Sequence, residues 1–149
     1  MTNNPTVTHI SRAMLQNLQH VPEHLNTLLI QIAGPYGYSH QKLLPSQKFA
    51  EVYKVMFEVD TYSPSDEALA PLTKDLALQI IAKLDEALVG GRDVIVQCDR
   101  GAMRSYMVAS AAACMGFRRL STSQGYLPQT EWEIFERLLM DRLRTIKHD

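Results

Sequence analysis

The segment Val94-Ile-Val-Gln-Cys98-Asp-Arg-Gly101-Ala-Met-Arg104-Ser105 holds the residue types in this chain best able to do chemistry. A cysteine closes an apolar, β-branched run, and after five intervening residues an arginine and a serine head an Ala-rich stretch. A loop of that length turning from a strand into a helix (Asp99, Arg100, Gly101, Ala102 and Met103) aims several backbone N–H groups at one point. The helix N-terminus adds its partial positive charge, so the loop is a cradle sized for a tetrahedral oxyanion. Gly101 permits a backbone conformation that a Cβ would obstruct. Arg104 offers a planar fork to two oxygens, a geometry that Lys lacks. The same positive field favours the thiolate of Cys98, and Ser105 is placed to hydrogen-bond the sulfur. The acidic side chain of Asp99 is expected to point away from the anion. An activated nucleophile beneath a bound phosphate is an arrangement for covalent phosphoryl transfer.

The elements that must position this loop follow from hydrophobic periodicity. Thr6–Ile10 alternates polar and apolar residues as a short strand does, and Ser11 is a cap for a helix carrying Met14, Leu15 and Leu18. Leu28–Ile32 reads as a buried strand stopped by Gly34-Pro35, and Glu51–Val59 as another strand or a passage from helix to strand. An acidic, turn-rich stretch runs from Asp60 to Pro71. An amphipathic helix follows, with Leu72, Leu76, Ala77, Ile80, Ile81, Leu84 and Leu88 at helical spacing and Gly90-Gly91 as its stop. Asp93–Gln97 is the clearest strand. The small residues between Arg104 and Cys114 suit a helix close against a sheet, ended by Gly116, with Cys114 in the core. A last helix is expected from a Thr130/Glu133 capping box, burying Trp132, Phe135, Leu138, Leu139, Leu143 and Ile146. Strands separated by helices imply a three-layer α/β domain with a mostly parallel sheet of four or five strands, the loop joining a central strand to a helix.

The composition sets the class. A chain of 149 residues, 46% of them hydrophobic, is expected to be one domain spanning 1–149. Fifteen basic against 16 acidic side chains leave a net charge of −1, which argues against nucleic acid as a bulk partner. No apolar run approaches the roughly 20 residues of a membrane span. Met1-Thr-Asn-Asn-Pro-Thr lacks the basic and apolar parts of a secretory leader, and Cys98 and Cys114 are too few for a disulfide framework, so a cytoplasmic protein with free thiols is expected. His20 and His24 are separated by Pro22, and His9, His40 and His148 have no companions at ligand spacing, so no metal site is expected.

Cys98-x5-Arg104-Ser105 after an apolar strand resembles the phosphate-binding loop of the cysteine-dependent protein tyrosine phosphatases, and the loop's place two-thirds along a short chain resembles their dual-specificity branch. The resemblance covers roughly Leu28 to the C-terminal helix. It implies that Cys98 attacks phosphorus to form a cysteinyl-phosphate, that Arg104 and the amides of 99–104 stabilise the transition state, and that Ser105 helps the thiolate to leave when water resolves the intermediate. It implies no metal or other cofactor, and as substrate a phosphoprotein, phosphotyrosine with or without phosphoserine and phosphothreonine. It also implies an upstream Asp as general acid: Asp60, directly after the Met56–Val59 run, is the first choice and Asp66 the rival.

Two positions depart from the family pattern. Gln97 stands where His is usual before the Cys, and Met103 is bulkier than the small residue common beside the Arg. Gln97 keeps open a second class, a phosphate-binding module with little turnover. On the same fold an RNA 5′-phosphatase or a phosphoinositide phosphatase remains an alternative, weakly opposed by the near-zero charge. Arg118 and Arg119 are candidates to flank the site and attract an anion, with a solvated pair as the simpler reading, and Gln129 is a candidate polar residue near the pocket.

Overall fold

The computed structural model describes residues 4–17, 24–33, 49–57, 71–98, 103–120 and 124–148. They form strands β1 (Thr6–Ile10), β2 (His24–Ala33), β3 (Phe49–Met56), β4 (Asp93–Gln97) and β5 (Arg118–Arg119). Among the described residues the helices are α1 (Arg12–Asn17), α2 (Lys74–Val89), α3 (Arg104–Met115) and α4 (Gln129–His148). The strands make one sheet in the order β3-β2-β4-β1-β5, with every neighbouring pair parallel. The expected three-layer α/β architecture is therefore the observed one, and the strand that carries the cysteine is the middle of five.

Alternation along β4 builds the layers. Val94, Val96 and, beyond the strand, Cys98 join the large core with Leu28, Ile30 and Ile32 of β2, together with residues of α2, α3 and α4. Ile95 packs instead against the smaller cluster of Ile10, Leu15 and Leu29, where Leu15 of α1 is wholly buried. Buried on both faces, β2 and β4 need the near-continuous apolar runs their sequences contain. Full burial of each such side chain contributes roughly 1.5–3 kcal/mol. Ser11 caps α1 as expected, its hydroxyl accepting from Met14 N at 3.2 Å.

The helix α2 begins two residues after Leu72, at Lys74. Thr73 is its N-cap, with extended backbone and a hydroxyl that accepts from Leu76 N at 3.1 Å. Leu72 lies buried just outside the helix in the same core as Ala77, the positions of a hydrophobic staple. In α3 the small residues Ala109, Ala111 and Ala112 are wholly buried and let the helix approach β1 and β4. Gly116 ends α3 at φ 123°, a conformation that a side chain would strain.

Three expectations are corrected. No Thr130/Glu133 capping box forms: α4 starts at Gln129, and its first turn is closed by Trp132 N donating to Pro128 O at 2.8 Å. Proline lacks the N–H that a helix start would leave unsatisfied, so the start falls there and Thr130 sits exposed inside the first turn. Leu143 is 54% exposed, because a helix of 20 residues spans about 30 Å and outruns the core it began against; the side chain of Ile146 lies outside the described residues. Cys114 is exposed. The last turn of α3 opens onto a groove of about 260 Å³ shared with Trp132, Leu139, Met140 and Leu143, so Ala-rich composition misplaces that face. Among the described residues no helix is long and apolar enough to cross a membrane.

Candidate active site

In a parallel sheet the carboxyl ends of the strands share one edge, and ligands bind in the crevice outside it. Here Gln97 at the end of β4 pairs with Gln31 of β2, and Ala33, two residues further along β2, pairs with Met56 at the end of β3. Cys98 therefore emerges at the same edge as the chain leaving β3. Its backbone N–H donates to Ile10 O at 3.3 Å, which ties the first residue of the loop to β1.

The structure brings together the two ends of the predicted cradle. Cys98 is 2% exposed, and its thiol donates to Ser105 Oγ at 3.1 Å. Ser105 is wholly buried in the first turn of α3, beside Arg104 at 8% exposed. A buried arginine at a helix start is unusual, since the positive end of the helix dipole repels it. Met103 is the N-cap residue and makes no side-chain capping bond; its carbonyl accepts from Met107 N at 2.8 Å. A helix start whose N-cap side chain makes no capping bond, next to a cysteine and a buried arginine, is chemically suited to an oxyanion. Asp99, Arg100, Gly101 and Ala102, like Asp60 and Asp66, lie outside the described residues.

Gln97 is turned to the other side of the sheet. It is wholly buried, its Oε1 accepts from Gln31 Nε2 at 3.3 Å, and its own Nε2 meets no acceptor among the described residues. The position before Cys98 is thus held by an amide pair linking β2 to β4.

The flanking arginines differ. Arg118 is exposed, whereas Arg119 is half-buried and committed to α3: its Nη1 donates to Ser110 Oγ at 3.0 Å and its Nη2 to Tyr106 O at 3.4 Å. Its guanidinium lies 4.3 Å from the centroid of the Tyr106 ring. His9, buried on β1, meets the same ring edge-on, with centroids 5.1 Å apart and planes at 86°. Gly125 completes the surround, for a Cβ there would lie 2.3 Å from Tyr106 Cγ. The sequence reading missed His9, Tyr106, Gly125 and Gln31. Only Tyr106 carried a signal, through its place next to Ser105. Gln129 is the exposed first residue of α4, with Nε2 3.5 Å from Glu133 Oε1, and Glu131 is buried in the same first turn, where the helix dipole favours a carboxylate.

Among the described residues no three His, Cys, Asp or Glu side chains are grouped to hold a metal ion. No family model matches the chain, and no curated protein matches it.

Proposed function

We propose that this protein is a phosphomonoester hydrolase of the cysteine-dependent protein tyrosine phosphatase type. Its substrate is a phosphorylated protein, phosphotyrosine first, and it acts in the cytoplasm, where a thiol nucleophile stays reduced. The observation that carries the reading is the buried Cys98–Ser105 contact at the end of the middle strand, with Arg104 buried beside it at the start of α3. Cys98 Sγ attacks phosphorus in line with the departing oxygen, and the cysteinyl-phosphate forms as the P–O bond breaks. Arg104 and the amides of the 99–104 loop take up the charge of the transition state. Water then attacks phosphorus, releasing inorganic phosphate and the thiolate, which receives a hydrogen bond from Ser105.

A general acid protonates the leaving oxygen and afterwards deprotonates the water. Asp60 is assigned that role ahead of Asp66. The support is topological: β3 stands two strands from β4, about 10 Å at the usual strand spacing. Three residues of chain beyond Phe57 just span that distance and nine exceed it, so reach admits both, and Asp60 comes first by its place directly after the run that forms β3. Asp60→Asn should lower kcat and remove the alkaline limb of the pH–rate profile, while Asp66→Asn leaves both in place; the reverse result transfers the role to Asp66.

The decisive variant is Cys98→Ser, assayed with p-nitrophenyl phosphate. Turnover should vanish while inorganic phosphate still binds, and undiminished hydrolysis would sink the proposal. A second reading, a phosphate-binding module with little turnover, is favoured by the uncharged amide of Gln97. It requires a wild-type protein that binds phosphopeptide without hydrolysing it, and a Gln97→His variant that gains activity.

A further inference from the structure

The start of α3 carries both Arg104 and Ser105, yet no capping side chain fixes it from within. One hold on this turn comes from the next residue. Tyr106 offers its carbonyl to Arg119 Nη2 and to Ser110 Oγ, the latter at 2.8 Å, and its ring is bounded by the Arg119 guanidinium, His9 and Gly125. Arg119 is the member of this group that joins its parts. From the edge strand β5 its fork reaches two acceptors one helical turn apart, Tyr106 O and Ser110 Oγ, while its Cζ lies over the Tyr106 ring. The strand is itself secured, because Leu120 N donates to Val7 O at 3.0 Å and Arg118 N to Pro5 O at 2.8 Å. A planar, bidentate, stacking cation is what this place requires, and Lys meets only the charge.

We infer that Arg119 is a positioning residue: through Tyr106 it fixes the first turn of α3, and with it the orientation of the Arg104 fork and the Ser105 hydroxyl toward Cys98. The inference rests on the phosphatase reading. The Arg119 guanidinium is engaged by Ser110 and Tyr106, so its effect is expected on the transition state and not on the electrostatic attraction of the anion.

The test uses Arg119→Met, which keeps side-chain length and removes the fork, with Arg119→Lys and Tyr106→Phe beside it. Each is assayed for kcat and KM on p-nitrophenyl phosphate, for competitive inhibition by inorganic phosphate, and for melting temperature. Misplacement of a reacting group by about 1 Å costs on the order of a hundredfold. Arg119→Met is therefore expected to lose about ten- to a hundredfold in kcat with a smaller change in KM. Arg119→Lys should fail to restore kcat, whereas Tyr106→Phe, which keeps the ring and the carbonyl, should retain it. If Arg119→Met is unfolded at the assay temperature, Arg119→Lys decides, and wild-type kcat in that variant overturns the inference. So does a folded Arg119→Met with kcat within about twofold of an active wild type. A wild type that neither hydrolyses the ester nor binds phosphate overturns the phosphatase reading and this inference together, so the two failures are distinguishable.

Discussion

Ser105 presents its hydroxyl oxygen 3.1 Å from a sulfur that is itself buried. A hydroxyl rotates its proton to suit its neighbour, so the same group that accepts from a thiol donates to a thiolate. Ser105→Ala removes that donor. A hydrogen bond to a charged group is worth about 1.5–3 kcal/mol, or roughly ten- to a hundredfold in rate. On the proposed phosphatase reading the loss should fall on the second chemical step, where the thiolate departs. A burst of p-nitrophenol followed by slow turnover is expected in rapid-mixing experiments, and an unchanged kcat without a burst would deny Ser105 the role. On the far side of the sheet Gln31→Leu leaves the buried Oε1 of Gln97 without its donor, at a cost of about 1–3 kcal/mol. Urea unfolding measures it. This contiguous part of the site was legible because Cys98, Arg104 and Ser105 are spaced by one loop. The partner of Gln97 was not, since Gln31 is brought beside it only by the pairing of β2 with β4.

Among the elements, α2 and α4 allow separate tests of cap and core. Thr73→Ala removes the side-chain acceptor for Leu76 N and should destabilise the fold by about 1 kcal/mol. Phe135 is wholly buried and fastens α4 to the core, so Phe135→Ala should cost about 3–5 kcal/mol. A thermal melt ranks the two, and comparable losses would mean that α4 contributes less than its burial indicates. Sequence pattern located β1 and β4 to the residue, β1 by its alternation and β4 by a β-branched apolar run that begins after Gly90-Gly91 and is closed by Cys98. It failed for Cys114 and Leu143, since an apolar stripe does not state where the layer opposite it ends. It failed also at the start of α4, where Thr130 and Glu133 have the spacing of a cap but Pro128 lies before them. The cluster around Tyr106 drew on β1, α3, β5 and the segment before α4, and no local pattern joins those four.

Across the whole molecule the edge strand β3 and the helix α2 are joined by charge. Lys83 Nζ pairs with Glu51 on β3 and lies 5.5 Å from the centroid of the Tyr53 ring. The hydrogen bond to Glu51 holds the Lys83 ammonium above its usual value of 10.5, and burial raises the Tyr53 hydroxyl above its usual 10.0. Both native-state values are raised, so both groups bind their protons more tightly in the folded protein. Their stabilising effect is complete below the unfolded values and disappears as pH climbs through the folded ones. The stability gap between wild type and Lys83→Met should therefore be constant from neutral pH to about pH 10 and close above it, which melts across that range would follow. The pair is partly exposed, and added salt should narrow the gap as well. The close approach of Gly125 to Tyr106 bears on which sequences this architecture can accept. A Cβ at 125 would also lie 2.6 Å from Tyr106 Cβ, so as the backbone stands only glycine fits at 125 opposite any residue that carries a Cβ. Divergent descendants of this chain would thus be expected to keep glycine at 125 even where the ring at 106 is exchanged for another side chain.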